Sequence, residues 1–201
     1  MRFEGILLAA GESRRMGYPK PLLKLGDQTF IAHLSSMMLR VVPRLVVVLG
    51  AWADRIRPAI PLDSRIRIVE NQYWADGQLS SLKTGLVSLD SATEAALVHL
   101  ADHPMVLAST FEALIREYEL RKVSILIARA EGRRGHPLVF GASIFRELMD
   151  ASDAVGAKQV VNLDPGRVAY LDVDDRGIGL DLDTPADLAA VGLTVPSEKK
   201  D

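Results

Sequence analysis

The sequence predicts an α/β domain of the doubly wound kind, a mostly parallel sheet with helices on both faces. Short apolar runs alternate with amphipathic stretches along nearly the whole 201-residue chain. Three of the runs, GILLAA, RLVVVLG and AALVHLA, are continuously apolar, as expected of strands covered on both faces. Polar clusters follow the ends of such runs, where open α/β sheets bind their ligands.

Taken in order, the strands are expected at 3–9, 44–50, 65–69, 95–101 and 123–129. Shorter apolar runs at 138–140, 168–173 and 178–182 extend the series. Amphipathic periodicity predicts helices over 29–39, 79–89, 109–120, 142–149 and 185–191. The last has its start written out: Thr184 is the N-cap, Pro185 takes the first position, and Asp187 places a carboxylate near the positive end of the dipole. No repeat or low-complexity segment interrupts the pattern. One domain is expected over 1–192, with 193–201 a tail that ends in the frayed SEKKD.

Composition narrows the function. An apolar share of 48% with 25% charged residues is that of a globular enzyme. A net charge of −2 supplies no basic field for nucleic acid. The absence of cysteine removes disulfides, thiolate metal sites and cysteine nucleophiles. The opening apolar run is too short for a signal peptide or a membrane span, so a cytoplasmic protein without membrane contact is expected.

The chemistry concentrates in LLAAGESRRMGYPKPLL, residues 7–23. Its spacing fits neither a P-loop nor G-x-G-x-x-G, because five residues separate Gly11 from Gly17 and Tyr18-Pro19 precede Lys20. The ingredients of a phosphate cradle are nevertheless present. Gly11 allows backbone to approach a ligand, and loop amides can point at an anion. Pro19 and Pro21 bias Tyr18 and Lys20 away from helix, which predicts Lys20 as a cation on a stiff, extended mount. Arg14 reads as ordinary surface charge.

Two carboxylate clusters complement the cations. Asp102 directly follows a buried strand, where a hard cation takes one or two carboxylates and bridges substrate phosphates; the alternative is a turn former. Beside it, His103 reads as a turn contact. Asp181 and Asp183 share parity, so on an extended segment they project to one face and offer a second metal ligand. Gly77, Gln78, Ser80 and Ser81 stand at the mouth of a helix, suited to a phosphate or base edge, or simply to capping. Arg133, Arg134 and His136 precede an apolar strand in a loop that suits an anionic substrate.

Together these segments resemble the MobA-like nucleotidyltransferases. LAAGESRRMGYPKPLL fits the signature LAAG-x-S-x-RMG-x-PK-x-LL. GQLSSLKTGL, LADHP, RRGHPLVF, VGAKQVV and DLDTPADL follow in the family's order, so the likeness reaches about Val191. It implies a glycosyltransferase-A-like nucleotide-binding fold, Mg²⁺, and transfer of a nucleotidyl group from an NTP to a phosphate. Leu8, Ala9, Ala10 and Gly11 are implied around base and ribose, Arg15 and Lys20 on the triphosphate, and Asn71 with Gln78, Ser80 and Ser81 at the base. Asp102 is implied as the first metal aspartate and the Asp181/Asp183 pair as the second. Arg133, Arg134, His136 and Lys158 fall where the family meets a pterin substrate. The LAAG form resembles CTP-using members, whereas guanylyl-transferring relatives more often read LAGG.

The implied reaction is CMP transfer from CTP to the phosphate of molybdopterin, with a molybdoenzyme as a partner for the product. Direct attack of a phosphate on the α-phosphorus asks for positioning and charge neutralisation, which Lys20, Arg15 and Asp102 with Mg²⁺ supply. The alternatives are a sugar or polyol phosphate acceptor, or a non-catalytic nucleotide- or pterin-binding delivery protein.

Overall fold

The computed structural model describes residues 1–196; the frayed end expected at 197–201 lies outside them. Seven strands form the main sheet: β1 (Phe3–Ala9), β4 (Leu45–Leu49), β5 (Ile66–Glu70), β6 (Ala95–Leu100), β7 (Ile125–Ala130), β8 (Arg133–Gly141) and β9 (Val168–Asp172). Their order across the sheet is β5-β4-β1-β6-β8-β7-β9. β1 pairs in parallel with β4 and β6, β4 with β5, and β7 with β9, while β8 runs antiparallel to both its neighbours. The mostly parallel sheet is therefore as expected, with one reversed strand between its halves. Two short strands, β2 (Lys24–Leu25) and β3 (Gln28–Thr29), form a separate hairpin.

Alternation along the strands divides the core into two faces. Leu7, Val47, Leu97 and Val139 pack on one side beneath α1 (Phe30–Met38) and α4 (Ala108–Arg121), through Leu34, Met38, Phe111 and Leu114. Their neighbours Ile6, Leu8, Val46 and Val98 pack on the other, against Leu79, Leu82 and Leu86 of α3 (Gln78–Val87). That second face is completed by Leu148 of α5 (Phe145–Asp150) and Val160 and Val161 of α6 (Lys158–Leu163). α2 (Ala53–Ile56) is a single turn after β4.

A third, smaller cluster positions the functional loop. Met16, Leu23 and Phe30 pack against Leu182 and Leu188, joining the segment after β1 to the C-terminal α7 (Pro185–Ala190). Leu193 and Val195 pack on the same cluster, so the described chain past 192 is docked where a tail is expected. The start of α7 is the predicted one: Thr184 Oγ accepts from the Asp187 amide, and Asp187 Oδ2 accepts from the Thr184 amide.

Two expectations fail. The run at 178–182 is not a strand; Arg176–Gly179 form a 3₁₀ turn, and the Leu182 amide donates to the Asp102 carbonyl at 3.1 Å. Its alternation arises because Ile178 and Leu182 bury into two different clusters. Lys20, expected on an extended mount, instead opens the 3₁₀ turn Lys20–Leu22. Pro19 sits before it at φ −58° and ψ 107°, and Pro21 occupies a first-turn position where no amide is needed. Among the described residues no helix is long and apolar enough to cross a membrane.

Candidate active site

The site lies past the C-terminal ends of β1 and β6. The chain leaving β1 folds back at Ser13, whose φ is +56° and whose carbonyl accepts from the amides of Met16 and Gly17 at 3.0 and 3.1 Å. Ser13 Oγ then accepts from the Lys20 amide at 3.1 Å, and Trp52 Nε1 donates to the Glu12 carbonyl at 2.8 Å. Both contacts fix the course of the loop. Gly11 lies in that loop. Its backbone is not among those with positive φ, and a Cβ built there would meet no protein atom within 4 Å. Nothing in the protein requires glycine at this position. The space a side chain would fill belongs to a cavity of about 400 Å³ lined by Leu8, Ala10, Gly11, Trp74, Ser81 and Asp102, among others.

At one end of this cavity four charged groups converge. Lys20 Nζ donates to Asp102 Oδ2 at 2.6 Å and to Asp183 Oδ1 at 2.7 Å. Arg15 donates to the other Asp183 oxygen at 2.6 Å. The Lys20 side chain is only 13% exposed. Burial works to lower its pKa, but the two adjacent carboxylates win and hold it above the ordinary lysine value. Burial likewise pushes Asp102 up, and the nearby charges of Lys20 and His103 overcome it, so the carboxyl sits below the usual range. Lys20 and Asp102 are therefore both ionised at neutral pH.

The Asp181/Asp183 pair separates. Asp183 faces Lys20 and Arg15, whereas Asp181, 56% exposed, lies 3.2 Å from His103 Nε2. Shared parity aligns two side chains only on a strand, and this segment is not one. Among the described residues no group of three or more His, Cys, Asp or Glu side chains stands ready to hold a metal. Two carboxylates aimed at one point do fit a hard cation that keeps waters and finds its remaining ligands on substrate phosphates.

The remaining residues expected around the nucleotide divide into wall and support. Leu8, Ala9, Ala10, Gly11, Gln78 and Ser81 line the cavity, and the uncapped first turn of α3 abuts it behind Gly77 at φ +113°. Asn71 and Ser80 do not line it. Asn71 Nδ2 donates to Ser80 Oγ and Ser81 Oγ at 2.8 and 3.0 Å, and its Oδ1 accepts from the Tyr73 amide. Their polar atoms are occupied in fixing the helix start. Arg15 is also off the wall, turned to Asp183; Arg14, read as surface charge, reaches the rim and pairs with Glu12. Trp74, Ser13 and Pro21 line the cavity without having been predicted.

A second cavity of about 530 Å³ adjoins the first, the two sharing Leu8 and Gln78. Its floor is apolar, built from Leu79, Leu82, Val98, Ile127, Leu138 and Phe140, and Arg134, His136 and Lys158 stand on its wall. Arg133 does not; it lines a separate concavity with Arg129, Arg134 and Tyr170, so Arg134 alone of the two arginines borders both. Behind the junction, His99, His103 and His136 form a chain of rings with centroids 6.2 and 5.6 Å apart. Burial pushes His136 down from its ordinary 6.5 to about 3, and it pushes the fully buried His99 well below 6.5.

Residues 5–169 match the MobA-like NTP transferase domain. The chain belongs to that family. It is a nucleotidyltransferase, and the seven-stranded sheet is the fold of its solved relatives. Among similar proteins is the molybdenum cofactor cytidylyltransferase of Escherichia coli K12, 24% identical over 182 residues, covering 90% of this chain and 91% of that one. The 2-C-methyl-D-erythritol 4-phosphate cytidylyltransferase of Tolumonas auensis is 32% identical over 130 residues, 63% of this chain and 56% of that protein. The crystal structure of Rv0371c from Mycobacterium tuberculosis H37Rv superposes with a TM-score of 0.83 at 28% identity, covering 95% and 97% of the two chains. A complex of Rv0371c with manganese superposes at 0.76 with 27% identity, covering 95% and 98%.

Proposed function

We propose that this nucleotidyltransferase moves CMP from CTP to the phosphate of molybdopterin, releasing pyrophosphate, with Mg²⁺ as its metal. One observation carries the reading: a cavity edged by Gly11, Lys20 and Asp102 adjoins a larger apolar cavity with cations on its wall. The first suits a nucleoside triphosphate. Backbone at Gly11 approaches it without a side chain in the way, and the start of α3 favours negative charge. The second suits a flat heteroaromatic acceptor bearing a phosphate, with Leu79, Val98 and Phe140 against the ring system and Arg134 and Lys158 for the anion.

In this reading an oxygen of the acceptor phosphate attacks the α-phosphorus, and the bond from that phosphorus to the pyrophosphate oxygen breaks. The nucleophile is already ionised at neutral pH, so no side chain has to take a proton. Lys20, and Arg14 at the rim, offset charge on the departing pyrophosphate. Leu8 and Gln78, common to both cavities, set the approach of the two substrates, and orientation of this kind is worth several kcal/mol, about 7–11 where it is complete. Asp102 and Asp183 would hold the divalent cation, which when bound supplies Lewis-acid neutralisation of the phosphates. Manganese in Rv0371c supports a divalent ion in the family.

A second reading, a polyol phosphate as acceptor, draws on the likeness to the methylerythritol phosphate enzyme. The apolar floor of the second cavity favours the pterin, since a polyol would leave it uncovered. Purified protein with Mg²⁺, each NTP and a panel of phosphate acceptors decides between them through pyrophosphate release. Turnover with CTP and molybdopterin supports the proposal; turnover only with a polyol or sugar phosphate replaces it.

A further inference from the structure

The position best suited to a cation between Asp102 and Asp183 is filled by the chain itself. Lys20 Nζ stands 2.6 Å from one carboxylate oxygen and 2.7 Å from the other, on a side chain largely shielded from water. A magnesium ion ligated by those two oxygens would sit about 2.0–2.1 Å from each. On the side of those oxygens that Lys20 occupies, it would overlap the ammonium nitrogen, and two like charges cannot share the space. We propose that Lys20 is the resident counter-ion of the metal site: it holds the Asp102–Asp183 pair in the free enzyme and gives way to the divalent ion as it moves to the nucleotide's phosphates. The inference rests on the nucleotidyl-transfer reading above and adds an exchange of cations to it.

The surroundings are built for such an exchange. Lysine carries a point charge on a flexible four-carbon stem, so its head can move while its backbone stays. Here the backbone is anchored, with the Lys20 amide on Ser13 Oγ, Pro19 and Pro21 on either side, and Leu23 packed in the third cluster. Arg15 retains the second oxygen of Asp183, and the Thr184–Asp187 cap fixes the next turn, so the carboxylate keeps its place when Lys20 leaves. The first cavity lies beside Lys20 and extends to Gly11, so the ammonium has an anion-binding space to enter. Without the lysine, two neighbouring carboxylates would repel each other in a partly shielded site. By linkage, a nucleotide that draws Lys20 away raises metal affinity, and the metal raises nucleotide affinity by the same factor.

The test is Mn²⁺ binding to the full chain without nucleotide, followed by electron paramagnetic resonance, for the unmodified protein, Lys20→Met and Lys20→Gln. Removing the competing ammonium should tighten Mn²⁺ binding roughly ten- to hundredfold, the span expected for charge-assisted hydrogen bonds exchanged for a metal. Asp102→Asn added to Lys20→Met should abolish the gain. Equal or weaker Mn²⁺ binding in both lysine variants overturns the exchange. If Asp102→Asn also weakens binding in the unmodified protein, the metal site stands and only the exchange falls. If instead Lys20→Met gains affinity that Asp102→Asn leaves intact, the ion binds elsewhere and both readings fail. The unmodified protein gives an independent check against misfolded variants. Its Lys20 ammonium resonance, slowed in exchange by two carboxylates, should shift in step with occupancy as Mg²⁺ is added. Saturation of the site by Mg²⁺ with that resonance unmoved overturns the proposal.

Discussion

The two cavities at the centre of the molecule share a wall but are built differently. The first is lined by groups already bound to partners: Lys20 to two aspartates, Glu12 to Trp52 and Arg14, and Ser81 to Asn71 behind the wall. The second has an apolar floor, with a half-buried neutral histidine and two cations on its wall. The contrast separates two demands. On the proposed reading, a triphosphate requires charge held ready at fixed points, as in the first cavity, and an acceptor requires shape and a few cations, as in the second.

Breaking the first cavity should have the largest effect. Asp102→Asn keeps shape and removes charge, and turnover should fall by about a hundred- to a thousandfold, the scale for loss of one fixed electrostatic group at a reacting phosphate. Asp183→Asn should approach that loss. Asp181→Asn, on an exposed carboxylate facing His103, should stay within a few-fold of the parent. Steady-state kinetics on the three variants checks the order, and equal losses at 181 and 183 would overturn the separation of the pair. Asp102→Asn should also lower thermal stability modestly, because Lys20 loses one of two partners while remaining largely buried.

Damage to the second cavity should be milder and confined to the acceptor. Arg134→Ala or Lys158→Ala should raise the acceptor KM by roughly tenfold, about 1.4 kcal/mol, with CTP binding intact. Arg133→Ala should change neither, because that side chain lines a different concavity. A rise in the CTP dissociation constant with Arg134→Ala would mean that the cavities do not divide the substrates as their linings suggest.

Legibility in the sequence follows the same division. β1, β4 and β6 are readable because both faces are covered and their runs are apolar throughout. β8 is half hidden, since its Arg-Arg-Gly-His-Pro start is polar and glycine-containing, and only residues 138–140 read as strand. α2, of four residues, is too short to show a helical period. Gly11, Lys20 and Asp102 are readable as chemistry because glycine, proline-flanked lysine and a carboxylate after a buried strand are unusual together. Asp183 could not be told from Asp181, because the parity argument presupposes a strand that does not form. Trp74 and Ser13 give no signal in spacing; they line the cavity only through the course of loops that the sequence leaves undetermined.

The histidines at the junction offer a test that involves no substrate. His136 has its pKa depressed from 6.5 to about 3, so between those values the unfolded chain binds a proton that the folded chain refuses. The sign follows: stability is fully present above about pH 6.5 and is lost as pH falls toward 3, at up to about 1.4 kcal/mol per pH unit for each such group. His99, also held well below its ordinary value, adds to the same limb. Urea unfolding at about pH 7 and pH 5 should show a clear loss in the parent and a smaller one in His136→Gln. Identical pH dependence in both would mean that His136 accepts a proton in the folded protein, placing a cation rather than a neutral ring on the wall of the second cavity.

The smallest effect expected concerns the choice of base. Ala10 lines the first cavity, and its methyl group leans on the backbone of the neighbouring strand end: a Cβ built on Gly50 would stand 2.8 Å from it. A methyl group held there narrows the space open to a base and stiffens the turn into Gly11. Ala10→Gly should therefore relax the preference for CTP toward GTP. One methyl is worth about 1–3 kcal/mol in such discrimination at most, and part of this one is already spent against Gly50. The shift in the ratio of kcat/KM for the two nucleotides should fall near the lower bound, about tenfold or less, without reversing it. Comparable turnover of CTP and GTP by the unmodified protein would remove the premise. An Ala10→Gly variant that kept the parent ratio would move base selection to Trp74, Gln78 and Ser81, which also line the cavity and can each be tested in turn.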